Sequence, residues 1–187
     1  TLTASGNVVG NGTADSGSRD VRGIALDMRG DADAVTTISN NTISNTDFEG
    51  IVAESRLDDD GDGQIGLFDL NLTNNVVNRP DDNSGFPVGA LNGIRIEARN
   101  TTNACMNIAG NDSASVGAFE HFRVRQRDTA TFRLERLSDG DAIPNELLND
   151  TALVESFVVG QNVGGSTADA LLATGFTEAA NGICRDP

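Results

Sequence analysis

The chain has 187 residues and a net charge of −15; all 13 of its basic residues are Arg, and Lys, Trp and Tyr are absent. That length suits one elongated domain plus a cap. An acidic surface argues against nucleic acid or anionic membrane as partners, and no apolar run approaches the roughly 18 residues of a membrane span.

The first predicted element is Leu2-Thr3-Ala4-Ser5-Gly6-Asn7. It returns as Thr36-Thr37-Ile38-Ser39-Asn40-Asn41, Leu70-Asn71-Leu72-Thr73-Asn74-Asn75 and Met106-Asn107-Ile108-Ala109-Gly110-Asn111. The closing Asn falls at 7, 41, 75 and 111, in steps of 34, 34 and 36. Self-similarity at such a period marks a solenoid. Asn tolerates left-handed backbone and hydrogen-bonds its copies above and below, so this column predicts an Asn ladder at a tight corner.

The second element is Gly23-Ile24-Ala25-Leu26-Asp27-Met28-Arg29. It recurs at Gly50 to Arg56, at Gly93 to Arg99 and, degenerately, at His121 to Arg127. Ile24, Leu26 and Met28 point one way, and Ala25, Asp27 and Arg29 the other, which is strand periodicity with one apolar face. The leading Gly is predicted at a corner. No helical stripe of useful length precedes residue 145. One turn alone cannot bury its apolar face, so turns must stack, with equivalent residues about 4.8 Å apart. The prediction is an all-β parallel β-helix of about four turns over residues 1–137, with a small cap containing one short helix over 138–187.

Spacing singles out one insertion. From the Arg that closes the second element to the next ladder Asn is 12 residues in turns one (29 to 41) and three (99 to 111), but 19 in turn two (56 to 75). The extra seven coincide with Asp58-Asp59-Asp60-Gly61-Asp62-Gly63-Gln64. Over 58–69 the pattern is that of a calcium loop: Asp58, Asp60 and Asp62 at positions 1, 3 and 5, Gly63 at the sharp turn, the Gln64 carbonyl at 7 and Asp69 at 12. A hard cation needs several converging oxygens, and alternate residues of a tight loop supply them. No helices flank the loop, so the expected Ca2+ is structural.

Outward positions form two charged columns. One holds Arg29, Arg56, Arg99 and Arg127; the other holds Asp27, Glu54 and Glu97, then Arg125. The simplest reading is a mutually compensating salt-bridge ladder. The alternative is a recognition face for an acidic glycan or partner chain, using Arg29, Arg56, Arg99, Arg123, Arg125 and Arg127. A further use is as a dock for the acidic C-terminal segment.

Residues 128–137 add a strand without the Asn corner. Asn149-Asp150-Thr151 caps a predicted helix from Ala152 to Val159, stopped by Gly160. Thr167 to Thr174 reads as a strand, and the whole segment as a lid over exposed strand edges. Cys105 opens the fourth turn and Cys184 lies near the end. A disulfide between them would tie the lid down, and the composition favours an extracellular setting in which it persists.

Beyond these periodicities, Ala104-Cys105-Met106-Asn107-Ile108-Ala109-Gly110-Asn111, Phe122-Arg123-Val124-Arg125-Gln126-Arg127-Asp128 and Phe157-Val158-Val159-Gly160-Gln161-Asn162 resemble the C-terminal right-handed parallel β-helix regions of large bacterial secreted and cell-surface repeat proteins. The resemblance covers nearly the whole chain. It implies a right-handed coil, an extracellular or cell-surface location and an adhesive or structural setting, and it brings no catalytic residues.

An enzymatic reading, as polysaccharide lyase or hydrolase, finds little to work with. There is no Lys, and His121, the one His, stands where the repeat has Gly. Each columnar carboxylate has an Arg beside it that keeps it ionised and a poor acid. The absence of Trp and Tyr removes the best sugar-stacking platforms. The expectation is therefore a non-enzymatic structural or adhesive module, a building block of a surface layer or self-assembling fibre stabilised by Ca2+. Its partners would be itself, head-to-tail or by strand addition, or neighbouring domains of a longer surface protein. Glycan binding is the alternative. The chain starts inside a repeat strand at Thr1-Leu2-Thr3, so it reads as a piece of a longer protein with an uncapped first turn.

Overall fold

The structure, a computed structural model, describes residues 1–11, 17, 22–30, 33–56, 66–78, 92–115, 120–135 and 147–184. These residues are mostly β, in three parallel sheets with one helix. The first pass of the chain gives β1 (Leu2–Ser5), β2 (Val8–Val9) and β3 (Ile24–Arg29); the second gives β4 (Ala34–Ser39), β5 (Thr42–Ser44) and β6 (Ile51–Arg56). The third gives β7 (Leu67–Thr73), β8 (Val76–Asn78) and β9 (Ile94–Ala98). The fourth gives β10 (Asn103–Ala109), β11 (Asp112–Ser113) and β12 (Phe122–Gln126). After β13 (Thr131–Glu135) come β14 (Leu147–Leu148), helix α1 (Thr151–Gln161), β15 (Ala168–Leu171) and β16 (Phe176–Ala179). Sheet A runs β1-β4-β7-β10-β13-β16-β14, sheet B β11-β8-β5-β2, and sheet C β15-β12-β9-β6-β3.

Each pass thus lays one strand on each sheet, in the register that the sequence periods predict. Ile24, Ile51, Ile94 and Phe122 align in sheet C. Their inward side chains join those of sheets A and B in one apolar core. Along one inward column of sheet A, Ala34, Phe68, Ala104 and Phe132 alternate small and large, so that bulky rings meet methyl groups. Phe132 then packs on Phe176, with ring centroids 4.4 Å apart.

The corner between sheets A and B holds the asparagine ladder. Asn7, Asn41 and Asn75 each donate a side-chain N–H to Oδ1 of the next, ending on Asn111, at 2.8–2.9 Å. Each backbone N–H donates to that same oxygen. The sequence places the left-handed backbone on the ladder Asn itself; the structure moves it one residue earlier, to Gly6, Asn40, Asn74 and Gly110, with φ between 54 and 68°. That residue absorbs the turn and leaves the ladder Asn free to stack. The corner before sheet C needs Gly for space: a Cβ on Gly93 would lie 2.1 Å from the Ala114 carbonyl oxygen.

The C-terminal segment meets the strand edges by pairing with them. β15 extends sheet C and β16 extends sheet A, so two of the sheets continue into this segment. Helix α1 starts at Asp150, whose side chain accepts the Ala152 N–H, and runs through Gly160 to Gln161. Isolated Gly weakens a helix without ending it when packing holds both sides, and Val154 and Val158 are buried here. The helix ends in Asn162, which joins the ladder. Its Oδ1 accepts from the Asn111 backbone N–H and Nδ2, and its own Nδ2 donates to Ile108. Cys105 and Cys184 form the expected disulfide, closing a 79-residue separation, a constraint of about 4–5 kcal/mol in the chain-entropy account.

Candidate functional site

The outer face of sheet C carries the densest charge among the described residues. Period-2 alternation turns Asp27, Glu54, Glu97 and Arg125 outward in one column, because their neighbours in each strand fill the core. On one side of this column stand Arg29, Arg56, Arg99 and Arg127. On the other, Arg95 and Arg123 lie in register with each other.

The pairing crosses the strands. Arg56 reaches back one strand to Asp27 at 2.7 Å, and Arg127 reaches back to Glu97 at 2.6 Å. Arg99 reaches Glu54 at 4.0 Å and Glu97, in its own pass, at 2.6 Å. Arg29 holds Asp27 at 2.9 Å. The hydrogen-bonded Arg56 guanidinium keeps the Asp27 carboxyl below its ordinary value, against the opposing effect of partial burial, with Arg29 adding to the lowering. Glu97 is fully buried, and the guanidiniums of Arg99, Arg127 and Arg95 surround it. The predicted compensating ladder therefore accounts for Arg29, Arg56, Arg99 and Arg127.

Four participants were not singled out from sequence. Arg95 pairs with Glu54, and with Glu49 at 3.2 Å. Glu49 in turn meets Arg22 at 3.2 Å. Asp169 of β15 pairs with Arg123 at 2.8 Å, so one acid of the C-terminal segment does dock on the basic strand. Arg95 was legible as an outward position of its strand. Glu49 and Asp169 were not, because the spacing within the repeats does not place them on this face.

Arg125 differs from the rest. Among the described residues it has no carboxylate within 4.0 Å, although Glu97 is its register neighbour on β9. Burial first, then Arg123 beside it, lowers its affinity for a proton.

Of the expected calcium ligands, Asp58, Asp60, Asp62 and Gln64 lie outside the described residues. Asp69 sits within β7, 2% exposed, aligned between Val35 and Cys105. Leu67, two residues before it, donates its backbone N–H to Asp33 Oδ1 at 3.1 Å. Among the described residues no group of three or more His, Cys, Asp or Glu could hold a metal. His121 acts as a corner: its Nδ1 accepts the Thr167 backbone N–H at 2.9 Å. On sheet A, a cavity of about 130 Å³ lies between Asn71, Asn107 and Glu135 and the tail residues Asn181, Gly182 and Cys184. It is well below the roughly 300–1,000 Å³ of small-molecule sites.

Comparison with known family models, curated proteins and solved structures finds no match to this chain.

Proposed function

We propose that this chain is a right-handed parallel β-helix serving as a structural, adhesive module of the bacterial cell surface. It would build a layer or fibre by pairing its open edge with a further β-coil. The observation that supports this reading is the difference between the two ends of the stack. At one end, among the described residues, β1, β2 and β3 each pair on one side only. Leu2 and Val8 there are 51% and 72% exposed. At the other end α1 packs on β15, and Glu155 accepts the Ala170 backbone N–H at 3.1 Å. An uncovered strand edge beside apolar side chains is a template for strand addition. Open head-to-tail contacts of this kind propagate into filaments. In a longer chain the same edge would take a neighbouring coil. Ca2+ bound by the 58–69 loop, through Asp58, Asp60, Asp62, Gln64 and Asp69, would order the insertion and neutralise its carboxylates.

The test is particle mass by light scattering, in Ca2+ and again in excess chelator. Growth with concentration in Ca2+, suppressed by Val8→Glu, is the expected result. A strict 19.5 kDa monomer in both conditions would sink the proposal.

A further inference from the structure

We propose that Arg123, Arg125 and Arg127, in a row on the outer face of sheet C, bind an extended acidic polypeptide segment. Its carboxylates would take the place of the acid that the β12 position of the column lacks. This site is independent of the strand edge invoked above and lies on a face of the sheet.

In the three earlier strands an acid occupies the column and faces Arg on its flanks. At β12 the column residue is Arg125, with Arg123 and Arg127 two positions either side on the same face. Asp169 pairs with Arg123 and Glu97 with Arg127, so among the described residues no carboxylate comes within 4.0 Å of Arg125, and Glu97 and Asp169 attract it only from farther away. Among the described residues seven guanidiniums pair with five carboxylates, and Arg125 stands beside them with no such pair, in a chain of net charge −15. Eight of the 13 Arg residues are thus gathered on one face.

The chemistry of the ligand follows from the partners already present. Every acid in the ladder is an Asp or Glu side chain, and guanidinium forks match carboxylates in two-pronged geometry. The three Arg repeat at strand period, about 6.6 Å for each pair of residues. An extended peptide with acids at alternate positions has the same repeat. The face has no Trp or Tyr on which a sugar ring could stack. An acid at the site would also offset the burial and the Arg123 repulsion, which already outweigh the attraction of Glu97 and Asp169 for Arg125.

The experiment is fluorescence anisotropy with a short labelled peptide of alternating Glu and Ser, beside its Gln/Ser counterpart and a uronic-acid oligosaccharide. The Glu/Ser peptide should bind the intact chain, and added salt should weaken it. Arg125→Gln should lose about tenfold in affinity, the size expected for a charge-assisted hydrogen bond. Arg125→Lys should recover part of that loss, and Arg133→Gln, on sheet A, should leave binding unchanged. Melting temperatures check that each variant is folded. The proposal is overturned by equal binding of Arg125→Gln, or by equal binding of the Gln/Ser peptide. It is also overturned if the oligosaccharide binds with the Arg125 dependence and the Glu/Ser peptide does not.

Discussion

Two ladders run along the same stack of strands, the amide column between sheets A and B and the charged face of sheet C. An Asn side chain both donates and accepts, so each copy satisfies the next and the column needs no other residue type. A charged side chain repels its own copy, so the sheet C ladder must recruit opposite charges from flanking columns and from other strands. The amide ladder extends wherever an Asn reaches the corner, even from the end of a helix. Among the described residues the charged ladder lacks an ion pair at Arg125.

That comparison can be broken most sharply at Asn75. Asn75→Ala leaves Asn41, Ile38 and Asn111 short of buried partners. It should cost about 2–4 kcal/mol in denaturant unfolding. Asn7→Ala, at the exposed edge, should cost under about 1 kcal/mol. Equal losses at the two sites would show that the ladder does not strengthen with burial.

Glu97→Gln comes next. It removes the carboxylate that Arg95, Arg99 and Arg127 surround and should cost about 1–3 kcal/mol, since these cations are themselves partly solvated. A neutral result would mean that solvent already compensates this face.

The smallest effect concerns Asp27, whose carboxyl is 38% exposed. Its folded value lies below the ordinary 3.8. Its contribution is therefore present above pH 3.8 and lost as pH falls through the lowered value. The melting temperature of the intact chain should fall toward that of Asp27→Asn on acidification. The gap at neutral pH should correspond to less than about 1 kcal/mol, because exposure screens the pairs.

Much of the stack was legible because a repeat makes local and global signals agree. Alternation in Gly23 to Arg29 placed Ile24, Leu26 and Met28 inward, and the 34-residue step placed Asn7 on Asn41. The Cys105–Cys184 link was legible as well, since only two cysteines exist. The continuation of sheets A and C after residue 147 was not, because β15 and β16 carry neither the Asn corner nor the Gly-Ile start. Gln126 shows a further limit. Its sequence position reads as one inward side chain, yet its Oε1 accepts the N–H groups of Ala173, Thr174 and Gly175 at 2.9–3.1 Å. Those partners lie 47 to 49 residues away, and no local pattern links them.

The sequence alone determined the strand period, the stacking repeat, the ladder asparagines and the order of charges in each column. These depend on side-chain alternation and backbone preference, which are local properties repeated at a fixed interval. Only the tertiary structure decided which acid serves which Arg, that Asp169 crosses to Arg123, that Asn162 completes the amide ladder, and that Arg125 has no ion pair among the described residues. Those outcomes depend on where a non-repeating segment lands on the end of the stack, and only the packing of that segment sets its position.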